Sequence, residues 1–224
     1  TMDTGIARSE QVYEHLKNLI LSRALKPGEK IPEAKLAAQF GLSRTPIREA
    51  IKKLANDGIV TLYPNRFAEV SVLPQNWLQE VGMVRLSLDI VAAHLAILYG
   101  SNYDYSIMQK LNEECHEATL AGDVATRIEK NCAFHLDLSR MSRNDELYEI
   151  QKKLYLKLEF VQACNYDNVE STEGQYRQHC QMIQALYNRN ESMLINILSD
   201  HLKKFHNLGD MTPIMGSIQG IFKA

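Results

Sequence analysis

The sequence predicts a mainly α-helical protein in two parts: three helices and a β-hairpin, then an all-helical bundle of about six helices. Three observations predict it. Apolar residues recur at helical spacing through most of the 224 residues. Proline and glycine punctuate the first part at short intervals. A single pair of β-prone segments, 59–63 and 68–72, flanks one turn-rich spacer. At 45% hydrophobic and 23% charged residues the composition is that of an ordinary globular chain, which argues against disorder.

In the first part, Val12, Leu16, Leu19 and Ile20 mark a helix that ends before the Lys26-Pro27-Gly28 stop. Pro32 suits the first turn of a second helix carrying Leu36, Ala37 and Phe40, which closes at Gly41. Ser43 is placed to cap a third helix, with Pro46 in its first turn and Gly58 at its far end. Two helices joined by Gly41-Leu42 make a helix-turn-helix, and the hairpin around Pro64-Asn65-Arg66-Phe67 adds a wing.

From Gln75 to about Leu208 only helical periodicity is found. Val81, Val84, Leu88, Val91, Leu95 and Leu98 form one apolar stripe, and Leu147, Ile150, Leu154, Leu158 and Val161 another. Breaks at Gly100-Ser101-Asn102, Ala121-Gly122-Asp123, Ser142 to Asp145, Asp167-Asn168 and Asn188-Arg189-Asn190 divide this part into about six helices. The domains expected are thus 1–74, a winged helix-turn-helix; 75–208, a helical bundle; and 209–224, a tail of unassigned conformation.

Charge is divided along the same line. Residues 1–74 hold 11 Lys and Arg against 8 Asp and Glu, and the remainder 14 against 19, so a basic module precedes an acidic one. That pairing suits polyanion binding by the first part only. No uninterrupted apolar run reaches the roughly 18 residues of a membrane span, and no export signal opens the chain, so no membrane partner and a cytoplasmic location are expected. Cys115, Cys132, Cys164 and Cys180 are spaced like neither a zinc motif nor a disulfide scaffold and are expected to be reduced core thiols.

On the third helix, Arg44, Arg48 and Lys52 lie four apart with Thr45 beside them, while Ile47, Ala50, Ile51 and Leu54 gather on another face. A helix so divided can enter the major groove, where arginine reads guanine bidentately and serine or threonine bonds phosphate or base. In the bundle, His135 falls in the stripe Ile128, Asn131, His135, Leu138, His179 in Tyr176, His179, Ile183, Leu186, and His201 in Leu194, Ile197, Leu198, His201, Phe205. Three inward imidazoles need partners, and a divalent transition metal, zinc or nickel, would satisfy all three, with Asn131 one turn from His135 as a fourth ligand. Hydrogen bonding among the histidines, or directly to an effector, is the alternative, and a metal-dependent helical enzyme a further one, although no carboxylate shares these stripes as a general base. Arg85 either pairs bidentately with a carboxylate or forms an i, i+4 salt bridge to Asp89. His15, His116 and His206 are expected at or near the surface.

The segment Leu25-Lys26-Pro27-Gly28-Glu29-Lys30-Ile31, followed by Leu36 to Ile51 with its Ser43-Arg44-Thr45-Pro46-Ile47-Arg48-Glu49-Ala50 block, resembles the winged-helix domain of GntR-family transcription regulators. The resemblance implies that Ser43, Arg44, Thr45 and Arg48 read or clamp operator DNA, with Glu33 and Lys35 near the backbone and Arg66 on the wing. Phe67 stands where that family usually has a wing-tip glycine, and Asn65 is the residue able to supply a positive φ. The segment Asn131-Cys132-Ala133-Phe134-His135, with His179 and His201, is similar to the metal site of the FCD-type effector domain, with Asn131 where Asp is commonest. The resemblance implies a non-enzymatic homodimeric regulator, a repressor by family habit, that binds double-stranded operator DNA and a small carboxylate effector at the metal, and it makes the effector's carboxylate the partner of Arg85. The residues Trp77 to Tyr99 are its expected link between the two functions.

Overall fold

The computed structural model describes residues 2–74, 76–164 and 172–209, with Gly220. The expected break at Asp167-Asn168 and the tail residues 210–219 and 221–224 lie outside them. The first unit runs to Leu73 and also takes in the last turns of one bundle helix from Leu156; the second runs from Pro74 to Tyr155 and resumes after the undescribed segment.

The first unit contains α1 (Met2–Leu21), α2 (Glu33–Phe40), α3 (Arg44–Asn56), β1 (Val60–Tyr63) and β2 (Phe67–Val70). Val12, Leu16, Ile20, Leu36, Ile47, Ile51 and Leu54 pack as its core, and α1 and α3 supply most of it. Gly41 closes α2 in the left-handed region at φ 60°, a conformation that costs glycine least, and this sets the tight turn into α3. Ser43 occupies the N-cap position of α3, yet its side chain makes no capping bond. The reason lies in the next turn: the third helical residue is Pro46, which has no N–H to offer. The Ser43 hydroxyl is therefore exposed and uncommitted to the cap. Pro32 likewise sits one position earlier than expected, as the N-cap of α2.

The strands β1 and β2 pair antiparallel from Val60 opposite Val70 to Tyr63 opposite Phe67, and a bridge from Lys30 to Glu69 extends the wing. Asn65 adopts φ 56° at the tip, the positive φ that the hairpin needs. Phe67 belongs to the strand, not the tip. Its ring lies 4.7 Å from that of Tyr63, with the Lys30 ammonium 4.2 Å above it, so the aromatic residue braces the last strand pair before the turn and leaves Arg66 exposed in the turn itself.

The second unit is built on α4 (Trp77–Tyr99), α5 (Asn102–Ala121), α6 (Val124–Met141), α7 (Asp145–Cys164) as far as Tyr155, α8 (Thr172–Tyr187) and α9 (Glu191–His206). Side chains at the breaks start the helices: Ser101 and Asp104 form a capping box on α5, Asp123 caps α6 and Asn190 caps α9. Leu86, Ile90, Tyr105, Phe134, Leu138, Met182, Leu186 and Leu198 fill the core between them.

The α4 stripe faces differently from its sequence reading. The buried side of α4 carries Val81, Gly82, Arg85, Leu86, Asp89, Ile90, Ala92, Ala93 and Ala96, whereas Val84 and Leu98 are 54% and 57% exposed. Small residues let α4 lie close to α9. A Cβ added at Gly82 would stand 2.5 Å from the Cβ of His206, so only glycine fits there. By length and composition α4 could cross a membrane, its most apolar window having a mean hydropathy of 1.8; half of that window is buried in the bundle, together with the Arg85–Asp89 pair. The thiols also divide: Cys115 and Cys132 are buried, Cys164 is half-buried and Cys180 is exposed, so the expectation of four core thiols fails at the outer face of α8. No disulfide joins them.

Candidate functional site

The N-terminal end of α3 presents Ser43, Arg44 and Thr45 to solvent, with Arg48 and Lys52 one and two turns on and Lys35 exposed on α2. The opposite face of α3 is anchored by Ile47, Ala50, Ile51 and Leu54. Arg48 is not wholly free, because its Nε lies 3.3 Å from Glu33 Oε2 across the two helices. The first-turn N–H groups of Arg44 and Thr45, together with these cations, form a surface suited to phosphate and base edges.

In the bundle the three histidines of the separate stripes meet. His135 comes from α6, His179 from α8 and His201 from α9, and one nitrogen of each lies within 4.8 Å of the others. All are buried. His201 Nε2 stands 3.2 Å from His135 Nε2, and the ring of His179 stacks on Phe134 at 4.0 Å. Outward-facing nitrogens are held by amides: His179 Nδ1 by Asn112 Oδ1 at 3.0 Å and His201 Nδ1 by Gln178 Oε1 at 2.9 Å. Two buried ring nitrogens, His135 Nδ1 and His179 Nε2, have no hydrogen-bond partner among the described residues.

Burial, reinforced by the Arg85 cation, holds all three rings neutral. It pushes His135 and His179 well below the usual histidine range, and His201 down to about 3. Neutral imidazole is the form that binds metals. Three nitrogen donors, an unpartnered Nε2 and no carboxylate in the set fit a divalent transition metal such as zinc or nickel. Asn131 is buried on α6, and its Oδ1 accepts from Gln175 Nε2 at 3.0 Å, which engages one lone pair of the expected fourth ligand.

Arg85 is buried beside this cluster and does form the salt bridge to Asp89, at 3.3 Å. Its Nε also lies 3.2 Å from the Tyr155 hydroxyl and its Nη1 3.2 Å from His206 Nε2. Tyr155 and Gln151 in turn donate to the Asp89 carboxylate. His206 is a correction to the sequence reading: it is fully buried, its Nδ1–H donating to Leu78 O at 2.8 Å, and burial with Arg85 lowers it to about 3. Its position after Lys203-Lys204 in the last turn of α9 suggested exposure; the only contrary signal was Gly82 on the facing helix. His15 and His116 are half-buried, as expected.

A winged helix-turn-helix followed by a helical bundle with an internal polar cluster is the architecture of a DNA-binding regulator with a second, helical domain. Residues 8–70 match the bacterial regulatory proteins of the gntR family and residues 80–204 match the FCD domain. The chain belongs to the GntR family of transcriptional regulators, in the group that carries an FCD domain. It is 30% identical over 182 residues to the uncharacterized HTH-type transcriptional regulator YdhC of Bacillus subtilis, covering 81% of each chain. It is also 30% identical over 148 residues to the HTH-type transcriptional regulator McbR of Escherichia coli, covering 66% of this chain and 67% of that one. The solved structure of E. coli McbR/YncC shares the fold, with a TM-score of 0.75 at 24% identity over 94% of this chain and 97% of that chain. A GntR regulator from Rhodococcus sp. RHA1 does so with 0.73 at 18% identity, over 96% of this chain and 98% of that chain. These relatives are regulators, and the chain is not an enzyme.

Proposed function

We propose that the protein is a cytoplasmic homodimeric repressor whose operator affinity is set by a small carboxylate effector bound at a transition metal in the bundle. Residues 1–74 hold the DNA, 75–208 the effector. The observation that carries this reading is the convergence of three neutral, buried imidazoles from α6, α8 and α9, one with an unpartnered inward nitrogen, in the helical domain of a DNA-binding chain. Three imidazoles leave coordination positions for effector oxygens. The effector acts by linkage: preferring the arrangement of winged helices that does not fit the operator, it shifts the population toward that arrangement.

Ser43, Arg44, Thr45 and Arg48 contact the operator in this reading, with Lys35 and Arg66 on the flanking backbone. Arg44→Ala is expected to cost roughly 1–3 kcal/mol of operator binding at matched salt. The test is a titration of operator DNA by chelator-treated protein and by protein loaded with zinc and each of a panel of di- and tricarboxylates. Arg44→Ala weakens binding in every condition, whereas His201→Ala keeps the chelated affinity and loses the response. Unchanged affinity in Arg44→Ala removes the recognition assignment, and a response that survives His201→Ala removes the metal site from the mechanism.

The dimer rests on α4. Val84, Leu88, Val91, Leu95 and Leu98 follow a 4-3-4-3 spacing, the seam of a helix that packs on another helix, and no charged residue interrupts the outward side from Met83 to Leu98. Met83, Val84, Leu98 and Tyr99 are exposed at its two ends, and Leu88, Val91 and Leu95 between them are only partly buried, a face that suits a second copy of the chain. Val91→Glu is expected to convert a species of about 51 kDa, twice the 25.5 kDa chain, into monomer in sedimentation runs. A wild-type monomer at micromolar concentration would refute the assignment.

A further inference from the structure

Asn112 on α5 and Gln178 on α8 are placed to decide what the histidine cluster can bind. Asn112 is 2% exposed, and its two ends are both engaged: Oδ1 faces His179 Nδ1 at 3.0 Å, and Nδ2 donates to Cys180 Sγ at 3.4 Å. Gln178 Oε1 faces His201 Nδ1 at 2.9 Å. An amide oxygen only accepts, so the ring nitrogen opposite each must carry the proton. In a neutral imidazole that leaves Nε2 as a bare lone pair, and in both rings Nε2 is the nitrogen on the inner side of the cluster.

The third ring then follows by elimination. His201 Nε2, already a lone pair, lies 3.2 Å from His135 Nε2, so the proton between them belongs to His135. His135 is therefore protonated at Nε2, and its Nδ1, buried without a partner, is the lone pair. Two rings are held in one tautomer by α5 and α8, and the third takes the other tautomer because its neighbour cannot donate.

We propose that Asn112 and Gln178 are positioning residues of the cluster: they fix His179 and His201 as Nδ1–H tautomers and so aim their Nε2 lone pairs at a common metal, while His135 rests as the Nε2–H tautomer. This rests on the metal reading above and extends it to residues outside the ligand set. Both partners are neutral. The outer partner of a metal-bound histidine is commonly a carboxylate, backbone carbonyl or water, and a carboxylate makes the imidazole a more basic ligand. Amides orient without that gain.

The primary test needs no variant. Imidazole 15N–1H correlation spectra of chelator-treated wild-type protein at neutral pH report each tautomer. His179 and His201 are expected as Nδ1–H and His135 as Nε2–H; His179 or His201 in the Nε2–H form overturns the proposal. Zinc titration against a competing chelator supplies the second readout. Gln178→Leu is expected to weaken zinc about 10- to 100-fold and to shift His201 toward a tautomer mixture, while Gln178→Glu restores at least the wild-type affinity. Equal zinc affinity in Gln178→Leu, or loss that Gln178→Glu does not rescue, overturns the positioning role. Wild-type protein that takes up no zinc defeats the metal reading itself, and the tautomers still decide the proposal.

Discussion

Metal-free protein is expected to lose stability steeply as pH falls below about 6.5, ahead of ordinary acid unfolding. His135, His179, His201 and His206 are buried neutral, the last two with values lowered to about 3, whereas in the unfolded chain each titrates near 6.5. Between those limits the unfolded state binds up to four more protons than the folded state. Stability is therefore fully present above about 6.5 and falls as the pH falls toward the folded values. Each histidine contributes a slope of about 1.4 kcal/mol per pH unit, so four approach roughly 5 kcal/mol per unit once the pH is well below 6.5. Against a total stability of about 5–15 kcal/mol, that is enough to unfold the protein between about pH 6 and 4. The carboxylates held low by hydrogen bonds, Asp104 by Ser101 and Asp123 by Thr126, act in the same direction but only near and below the usual carboxylate range. The two windows separate. Urea midpoints measured from pH 8 to 4.5 in chelator check the expectation, and replacing His206 by Gln should reduce the slope by about one quarter. A midpoint that stays level between pH 6.5 and 5 would show that the rings protonate in place.

What was legible in the sequence was whatever local chemistry fixes. Gly41, the breaks at Gly100 to Asn102 and Gly122-Asp123, and the capping residues Ser101, Asp123 and Asn190 act through their own backbone or the next turn, so the helix order could be read directly. The Arg44–Arg48–Lys52 face opposite Ile47, Ile51 and Leu54 was visible for the same reason. The inward stripes of His135, His179 and His201 were visible one helix at a time; that they meet depends on how α6, α8 and α9 pack, which no single stripe encodes. Orientation of α4 misled because its tight packing uses Gly82, Ala92, Ala93 and Ala96, which carry little hydrophobic signal, while the larger Val84 and Leu98 lie on the outward side. His206 was missed because its burial depends on the missing side chain of Gly82 in another helix. Ser43 looked like a cap by residue type; the proline three residues on removes the donor it would need.

Asp89→Ala is expected to destabilise the bundle by about 3–5 kcal/mol, the effect of leaving a buried cation without its partner. Asp89 is fully buried and serves three groups at once: Arg85 at 3.3 Å, the Tyr155 hydroxyl at 2.9 Å, and the Gln151 amide. Burial pushes its carboxyl upward, and Arg85, Tyr155 and Gln151 pull it back. The charged state is thus held by the network and not by the site itself. Removing Asp89 strands Arg85, whose remaining contacts, the Tyr155 hydroxyl and His206, are neutral. Removing both charges strands no charge, although the Tyr155 hydroxyl, the Gln151 amide and His206 Nε2 each lose a buried partner. The double variant Arg85→Met with Asp89→Leu should therefore recover part of the loss, because an unpaired buried charge costs more than unpaired neutral groups. Denaturant midpoints of the wild type, both single variants and the double variant give the coupling energy directly. Additive losses would mean that water reaches the pair and that burial is not what makes it expensive. The same double variant also decides what Arg85 is for. If it retains the carboxylate response at the operator, the guanidinium is structural and the effector is held by the metal alone. If stability returns and the response does not, Arg85 leaves Asp89 for the effector's carboxylate when the two meet.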